Sequence, residues 1–241
     1  MATEDFDIDS LAAYLHLIPA QVLRLADRGK LPGRRVSGQW RFSRAEIHHW
    51  LEHRIGLSDE DELVHMEGVL QRSALLSGDP SSGERPIALS ELLSIDTVAV
   101  PLKAKTRSSV IREMADLAAR SGVLWDPDKM ADALRAREEM QPTALDIGVA
   151  LLHPRRPMPR ILEHSFLAMG ITATGIPFGG SHGTLTDVFF LIGADSDQTH
   201  LRILARLSRL ITNVETLADL RAAGDSASVH HRIAEWDASV Q

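Results

Sequence analysis

Two histidines and one arginine hold the most pointed chemistry in this sequence. His153 closes the apolar run Ile147-Gly-Val-Ala-Leu-Leu152, which reads as a short buried strand, and Pro154 lacks the N–H to continue a ladder. The imidazole is therefore expected at a strand end. Arg137 lies sixteen residues upstream in a helical stretch, and His200 lies forty-seven downstream, just after Asp195-Ser-Asp197, a helix start signal. Three cationic or potentially cationic groups could converge there. A neutral imidazole has little use for such a cluster, whereas a phosphohistidine is strongly anionic and needs fixed N–H donors. Arg137 offers a planar fork for phosphate oxygens, and a helix start adds backbone N–H groups and positive potential.

The elements that must position these groups read in order along residues 87–241. A strand over 97–102 precedes helices over 107–121 and 126–136, strands over 147–152, 165–171 and 187–192, then helices from Gln198 onward. Strands interleaved with helices at this spacing predict an α/β unit, a mixed sheet covered by helices. Gly179-Gly-Ser-His-Gly183 lies between two strands with no Gly-Lys-Ser/Thr after it, so it reads as a loop and not a phosphate cradle. Arg202, Arg206 and Arg209 stand opposite Leu201, Leu204 and Ile211, and a solvated basic face is the plain expectation.

At these residues the chain resembles the enzyme IIA domains of the fructose/mannitol and nitrogen-regulatory branch of the bacterial phosphotransferase system. That family shows Arg-Glu, a Gly-Ser-Thr-Gly-like turn, Gly-Ile-Ala-Ile-Pro-His, and a second His opening a later helix. Here the corresponding residues are Arg137-Glu138, Thr143, Gly148-Val-Ala-Leu-Leu-His153 and Thr199-His200-Leu201. The resemblance covers roughly residues 87–238. It implies that His153 accepts a phosphoryl group from a phosphorylated histidine phosphocarrier protein while Arg137 and His200 surround it. Singly, each of the three is more often a structural or surface residue; the shared spacing favours the site. Gln141-Pro142 replaces Gly-Ser, Ala144 and Asp146 replace glycines, Leu152 replaces proline and Pro154 replaces glycine. A carboxylate such as Asp146, if close to the acceptor, opposes an incoming phosphoryl group.

The 241 residues, 44% hydrophobic with scattered charge, suit one or two globular domains. No run of eighteen apolar residues exists and the amino terminus is acidic, so neither a membrane insertion nor an export signal is expected. Zero cysteine excludes disulfides and thiolate catalysis, and fits a reducing cytoplasm. The net charge of −7 hides an asymmetry: residues 20–54 carry Arg24, Arg28, Lys30, Arg34, Arg35, Arg41, Arg44 and Arg54 against only Asp27, Glu46 and Glu52.

That basic stretch has a legible layout. Asp7 can cap a helix with Leu11, Ala12 and Leu15 on its apolar face; Leu17-Ile18 turns the chain, and Pro19 opens a second helix that Gly29 ends. Residues 34–42 read as a hairpin turning at Ser37-Gly38, and Ser43 with Glu46 forms a capping box before a third helix. The segment resembles the excisionase-type subset of MerR-like winged helix domains, most specifically at Arg28-Gly-Lys-Leu-Pro32 and Gly38-Gln-Trp-Arg-Phe42. Ile18 departs from the Ser expected at the second helix's cap. Gln21, Arg24 and Arg28 are candidates for contact with DNA from the second helix, and Lys30, Arg34, Arg35 and Arg41 from its end and the ribbon. Docking on a protein is the plainer alternative, and the ribbon's charge favours DNA.

We expect the winged helix domain over 1–56, a helix and linker over 57–86, and the enzyme IIA-like domain over 87–241. Leu63, Met66, Val69 and Leu70 would face one side of the intervening helix, as a packing strap or a homodimer contact. Leu76-Ser-Gly-Asp-Pro-Ser-Ser-Gly-Glu-Arg-Pro86 has a linker's composition. His48, His49, His53 and His65 lack the His-Glu-x-x-His pattern, and no Gly-x-Ser-x-Gly elbow or nucleotide site appears, so no metal or cofactor is expected. The combined expectation is a regulator whose phosphorylatable domain controls DNA binding. A sugar-transport phosphocarrier and a regulator that has lost phosphorylation are the alternatives.

Overall fold

The computed structural model describes residues 5–15, 17–55, 60–76 and 87–240, and the chain divides into two compact units, 1–86 and 87–241. Of the expected linker, Leu76 ends a helix and 77–86 lie outside the described residues, as do the first four residues.

In the first unit, α1 (Ile8–Leu15) is capped by Asp7, whose Oδ1 accepts from the Ser10 N–H at 2.8 Å. The second helix, α2 (Pro19–Asp27), has Pro at its first turn. Gln21 reaches back so that its Oε1 accepts from the Ile18 N–H at 3.1 Å, which supplies the capping that the Ile18 side chain cannot. The helix ends where Gly29 takes a φ of +66°, with Lys30 N–H donating to Leu25 and Gly29 N–H to Ala26. Those two bonds make a Schellman stop. The hairpin β1 (Arg34–Val36) and β2 (Gln39–Arg41) turns at Ser37 and Gly38, both at positive φ, as a two-residue primed turn demands. Phe6 pairs with Phe42 beside it. Next come α3 (Arg44–Ile55) and α4 (Glu60–Leu76). Leu11, Val22, Phe42, Ile47 and Leu63 are fully buried and form the centre of this unit.

The second unit opens with α5 (Leu89–Leu92) and β3 (Leu93–Leu102), then α6 (Arg107–Ala119), α7 (Pro127–Met140) and β4 (Val149–Leu152). Strands β5 (Phe166–Pro177) and β6 (Leu185–Gly193) follow, then α8 (Asp197–Thr212), α9 (Val214–Ala222) and α10 (Ser226–Ser239). The sheet order is β3-β5-β6-β4, with β5 and β6 antiparallel and the two outer pairs parallel. This is the mixed α/β arrangement expected, with β3, β5 and β6 longer than their apolar patterns suggested.

One face of the sheet, through Ala150, Leu152, Ala168, Phe189 and Leu191, packs on Val110, Met114, Met130 and Leu134 of α6 and α7. Side chains alternate along a strand, so Val149, Leu151, Val188 and Phe190 point to the opposite face. They too are buried.

The expected solvated arginine face of α8 is overturned. Arg202 and Arg206 are buried, and Arg206 donates to Asp237 of α10 at 3.3 Å while lying over the Trp236 ring. Asp237 also accepts from the Ser90 N–H and hydroxyl, each at 2.8 Å. Burying this carboxylate is tolerable because three donors face it.

Candidate functional site

The residue after β4 is His153, and alternation places it with Leu151 on the face away from α6 and α7. Strand β6 runs parallel to β4, with Leu191 opposite Leu152, so the chain leaves β6 close to the end of β4. It then enters α8 through Ser196, whose Oγ accepts from the Thr199 N–H at 3.1 Å. His200 sits in the first turn of that helix, and its ring centroid lies 4.8 Å from that of His153, tilted by 44°. Both imidazoles are 3% exposed.

The His153 Nδ1 is 2.8 Å from the Leu151 carbonyl oxygen. A carbonyl only accepts, so Nδ1 carries a proton, and in the neutral ring the lone pair belongs to Nε2. The ring is thus preset with its lone-pair nitrogen turned away from its own strand. His200, close to the positive end of α8, stands where negative charge would be stabilised.

Arg137 occupies the last turn of α7, is 7% exposed, and donates from Nη1 to the Gln141 carbonyl at 2.7 Å. It ties down the helix end from which the chain runs to the site. Of the three expected residues, then, the two histidines meet as rings, and Arg137 is held at the C-terminus of α7.

Sequence reasoning did not single out what supports His153. Glu138, 2% exposed, accepts from the Thr143 N–H at 3.2 Å and from its hydroxyl. Arg107, at the start of α6, donates to the other Glu138 oxygen at 3.1 Å and to its carbonyl. Thr143 accepts in turn from the Leu151 N–H, and Ala144 pairs with Ala150. A line of contacts therefore runs from α6 through Glu138 and Thr143 to the strand whose carbonyl holds His153. The only sequence cue was Glu138 beside Arg137.

Asp146 is not close to His153. Residues 143–145 fold back on 149–151, and Leu145 N–H donates to the Val149 carbonyl, so Asp146 sits at the hairpin turn, at the opposite end of β4 from His153. Four or more strand residues at about 3.3 Å each separate them. Across roughly 15 Å, at an effective dielectric of about 20, the repulsion is only about 1 kcal/mol. Its carboxylate accepts from the Ser181 N–H at 2.9 Å and so anchors the Gly-rich loop between β5 and β6. Gly148, at φ +80°, lets Arg221 pack against this turn: a Cβ there would meet its Nη2 at 2.7 Å, where Arg221 holds Asp187 and the Ile147 carbonyl.

In the first unit, Gln21, Arg24, Arg28, Lys30, Arg34 and Arg35 are exposed and Arg41 is half-buried. The ribbon arginines each meet a carboxylate: Arg34 with Asp5 at 2.9 Å, Arg35 with Asp27 at 3.1 Å, Arg41 with Asp7 at 3.7 Å. Arg24, Arg28 and Lys30 have no ion pair among the described residues. The strongest uncompensated charge thus lies along α2 and its end, more than on the ribbon.

A mixed sheet bearing a paired-histidine strand end, preceded in the chain by a helix-turn-helix with a basic ribbon, defines a phosphotransferase-type α/β domain joined to a nucleic-acid-binding-type domain. Residues 91–236 match the family model "Phosphoenolpyruvate-dependent sugar phosphotransferase system, EIIA 2", and the chain belongs to that family. Residues 6–54 match the model of a helix-turn-helix domain.

The chain is 28% identical over 152 residues to the nitrogen regulatory protein of Bradyrhizobium diazoefficiens, spanning 61% of this chain and 94% of that one. It is 26% identical over 151 residues to the fructose-specific EIIABC component of the phosphotransferase system of Bacillus subtilis, but spans only 23% of that protein. Among solved structures, nitrogen regulatory protein IIA-Ntr from Neisseria meningitidis superposes with a TM-score of 0.53 at 18% identity, covering 60% of this chain and 97% of that one. IIA mannitol from Escherichia coli gives 0.52 at 17% identity, covering 58% and 97%. These superpositions establish the fold. Among the described residues no helix is long and apolar enough to cross a membrane.

Proposed function

We propose that this protein is a phosphorylation-responsive, cytoplasmic transcription regulator. In this reading a phosphorylated histidine phosphocarrier protein presents its phosphoryl group to Nε2 of His153. The donor's P–N bond breaks as the new P–N bond forms, and the electron pair of the broken bond returns to the donor imidazole. His200 and the start of α8 stabilise charge on the transferred oxygens, and Arg137 holds or meets them from the end of α7. Because both rings are buried, the donor reaches Nε2 only after a local opening.

The observation that carries this reading is the His153–His200 ring pair, with Nδ1 of His153 committed to the Leu151 carbonyl. The transferred group adds about two negative charges, and we infer that this changes the affinity for DNA of the excisionase-like unit, in which Arg24, Arg28 and Lys30 supply the phosphate contacts. Gln21 spends its carbonyl oxygen on the α2 cap, which leaves its amide NH₂ as the group to offer a base. Service in sugar uptake is the second reading, favoured by the fructose-specific name of the Bacillus relative. The helix-turn-helix domain favours regulation.

The test is incubation with the general phosphocarrier system and labelled phosphoenolpyruvate. Wild type should be labelled and His153→Ala should not, and DNA affinity measured by gel shift should differ between the phosphorylated and unphosphorylated forms. Equal labelling of both proteins removes the site; unchanged DNA affinity removes the coupling.

A further inference from the structure

The second helix of the first unit starts on a residue that its own structure does not call for. A helix N-cap favours Ser, Thr, Asp or Asn, whose side-chain oxygen accepts from the first backbone N–H groups. The cap of α2 is Ile18, with extended backbone at φ −81° and ψ 147° and no side-chain bond. Packing does not explain it either, because Ile18 is 61% exposed, the most exposed large apolar residue among those described in this unit.

Gln21, three residues on, takes over part of the capping. A backbone N–H donates, so the atom of Gln21 that faces the Ile18 N–H at 3.1 Å is its amide oxygen. The amide NH₂ is then the end that this exposed side chain can offer to a ligand. An apolar group and a donor therefore stand side by side at the start of α2. Arg24 and Arg28 follow Gln21 at steps of three and four residues, on the same side of the helix, and both are exposed.

We infer that Ile18 and Gln21 together read a thymine in the major groove. This rests on the first unit binding DNA through α2. The N-terminal residues of the second helix in a helix-turn-helix reach base edges. Thymine alone among the four bases presents a methyl group there, and beside it the acceptor O4. The Ile18 methyl groups cover the first, and the Gln21 NH₂ donates to the second. Adenine, the usual partner of glutamine, needs the oxygen and the NH₂ of the amide together, and here the oxygen is committed to the helix's own N–H. Cytosine presents a donor to a side chain whose remaining group is a donor, and guanine presents acceptors without a methyl. An apolar patch could also meet a protein, but the cations along the same side of α2 favour a polyanion.

In the test, the full-length protein selects duplexes from a random library, and each thymine of a selected duplex is then replaced in turn. Uracil removes the methyl alone. 5-Methylcytosine paired with guanine keeps the methyl and turns the acceptor into a donor. At one or more thymines, wild type should lose about fourfold in affinity with uracil and about fivefold or more with 5-methylcytosine. Ile18→Ser should bind the thymine and uracil duplexes alike, and Ile18→Val should keep the preference for thymine. Neither variant should melt below wild type, since serine caps better and valine no worse. Equal affinity of wild type for thymine and uracil at every position overturns the proposal. So does a uracil penalty that survives undiminished in Ile18→Ser. If the library yields no duplex bound in a salt-dependent way, the DNA reading itself has failed and the thymine contact with it.

Discussion

The two units deploy polar groups in opposite ways. In residues 87–241 the candidate groups are buried and oriented by neighbours: His153 by the Leu151 carbonyl, Glu138 by Thr143 and Arg107, Asp237 by Ser90 and Arg206. In residues 5–55 they are exposed apart from the half-buried Arg41, and what distinguishes them is which cations lack a carboxylate. A covalent transfer needs atoms placed to a fraction of an ångström, whereas attraction to a phosphate backbone needs charge and tolerates motion. The contrast teaches that substitutions in the second unit should act all or none, and those in the first should act by degrees and with salt.

The sharpest way to break that contrast is at His153. His153→Ala is expected to lose labelling completely while retaining unphosphorylated DNA binding, and His200→Ala to slow labelling about 100-fold. A His200→Ala protein labelled at the wild-type rate would reduce the ring pair to packing.

Next in size is a comparison of two Arg–Asp pairs. Arg206→Ala leaves the Asp237 carboxylate buried without its cation, and by urea unfolding should cost about 3–5 kcal/mol. The Arg35–Asp27 pair, with side chains 60% and 48% exposed, should contribute under about 1 kcal/mol. Equal losses would remove burial as the distinction.

Smaller again is the effect on DNA affinity. Arg24→Ala and Lys30→Ala should each weaken binding by a few-fold to about tenfold and lower the salt slope by about one. Arg34→Ala, which also frees Asp5, should show the smaller change in slope.

The smallest expected effect concerns acid. The Asp225 carboxyl is held below the usual carboxylate range by the Ser228 N–H and then its hydroxyl, and that of Asp7 by the Ser10 hydroxyl and then its N–H. A lowered folded-state value means these caps contribute fully above the unfolded value of 3.8 and lose that contribution as pH falls through the folded one. Asp225→Asn, which can still cap α10, should flatten that part of the acid unfolding curve.

Much of this was legible without coordinates. The apolar run ending at His153, the Asp195-Ser-Asp197 start of α8, the Gly29 stop and the Ser37-Gly38 turn are local signals, and the structure realises each. Arg206 was misread because its partner Asp237 lies thirty-one residues away on another helix, where no periodicity reports it. Asp146 was read as a threat to the acceptor because only seven residues separate them, although a strand carries those residues to opposite ends. Glu138 entered only as part of the family pattern and Arg107 not at all, because a buried carboxylate has no local signature that names its partners.

By itself, then, the amino-acid sequence determined where elements begin and end and which face of each is apolar, because capping, turn conformation and side-chain alternation depend on a few neighbouring residues. Only the tertiary structure decided that His153 meets His200, that an arginine of α8 is buried, and that a carboxylate seven residues before His153 in sequence is far from it in space. Those outcomes depend on strand order and register, which bring together residues that no short-range pattern connects.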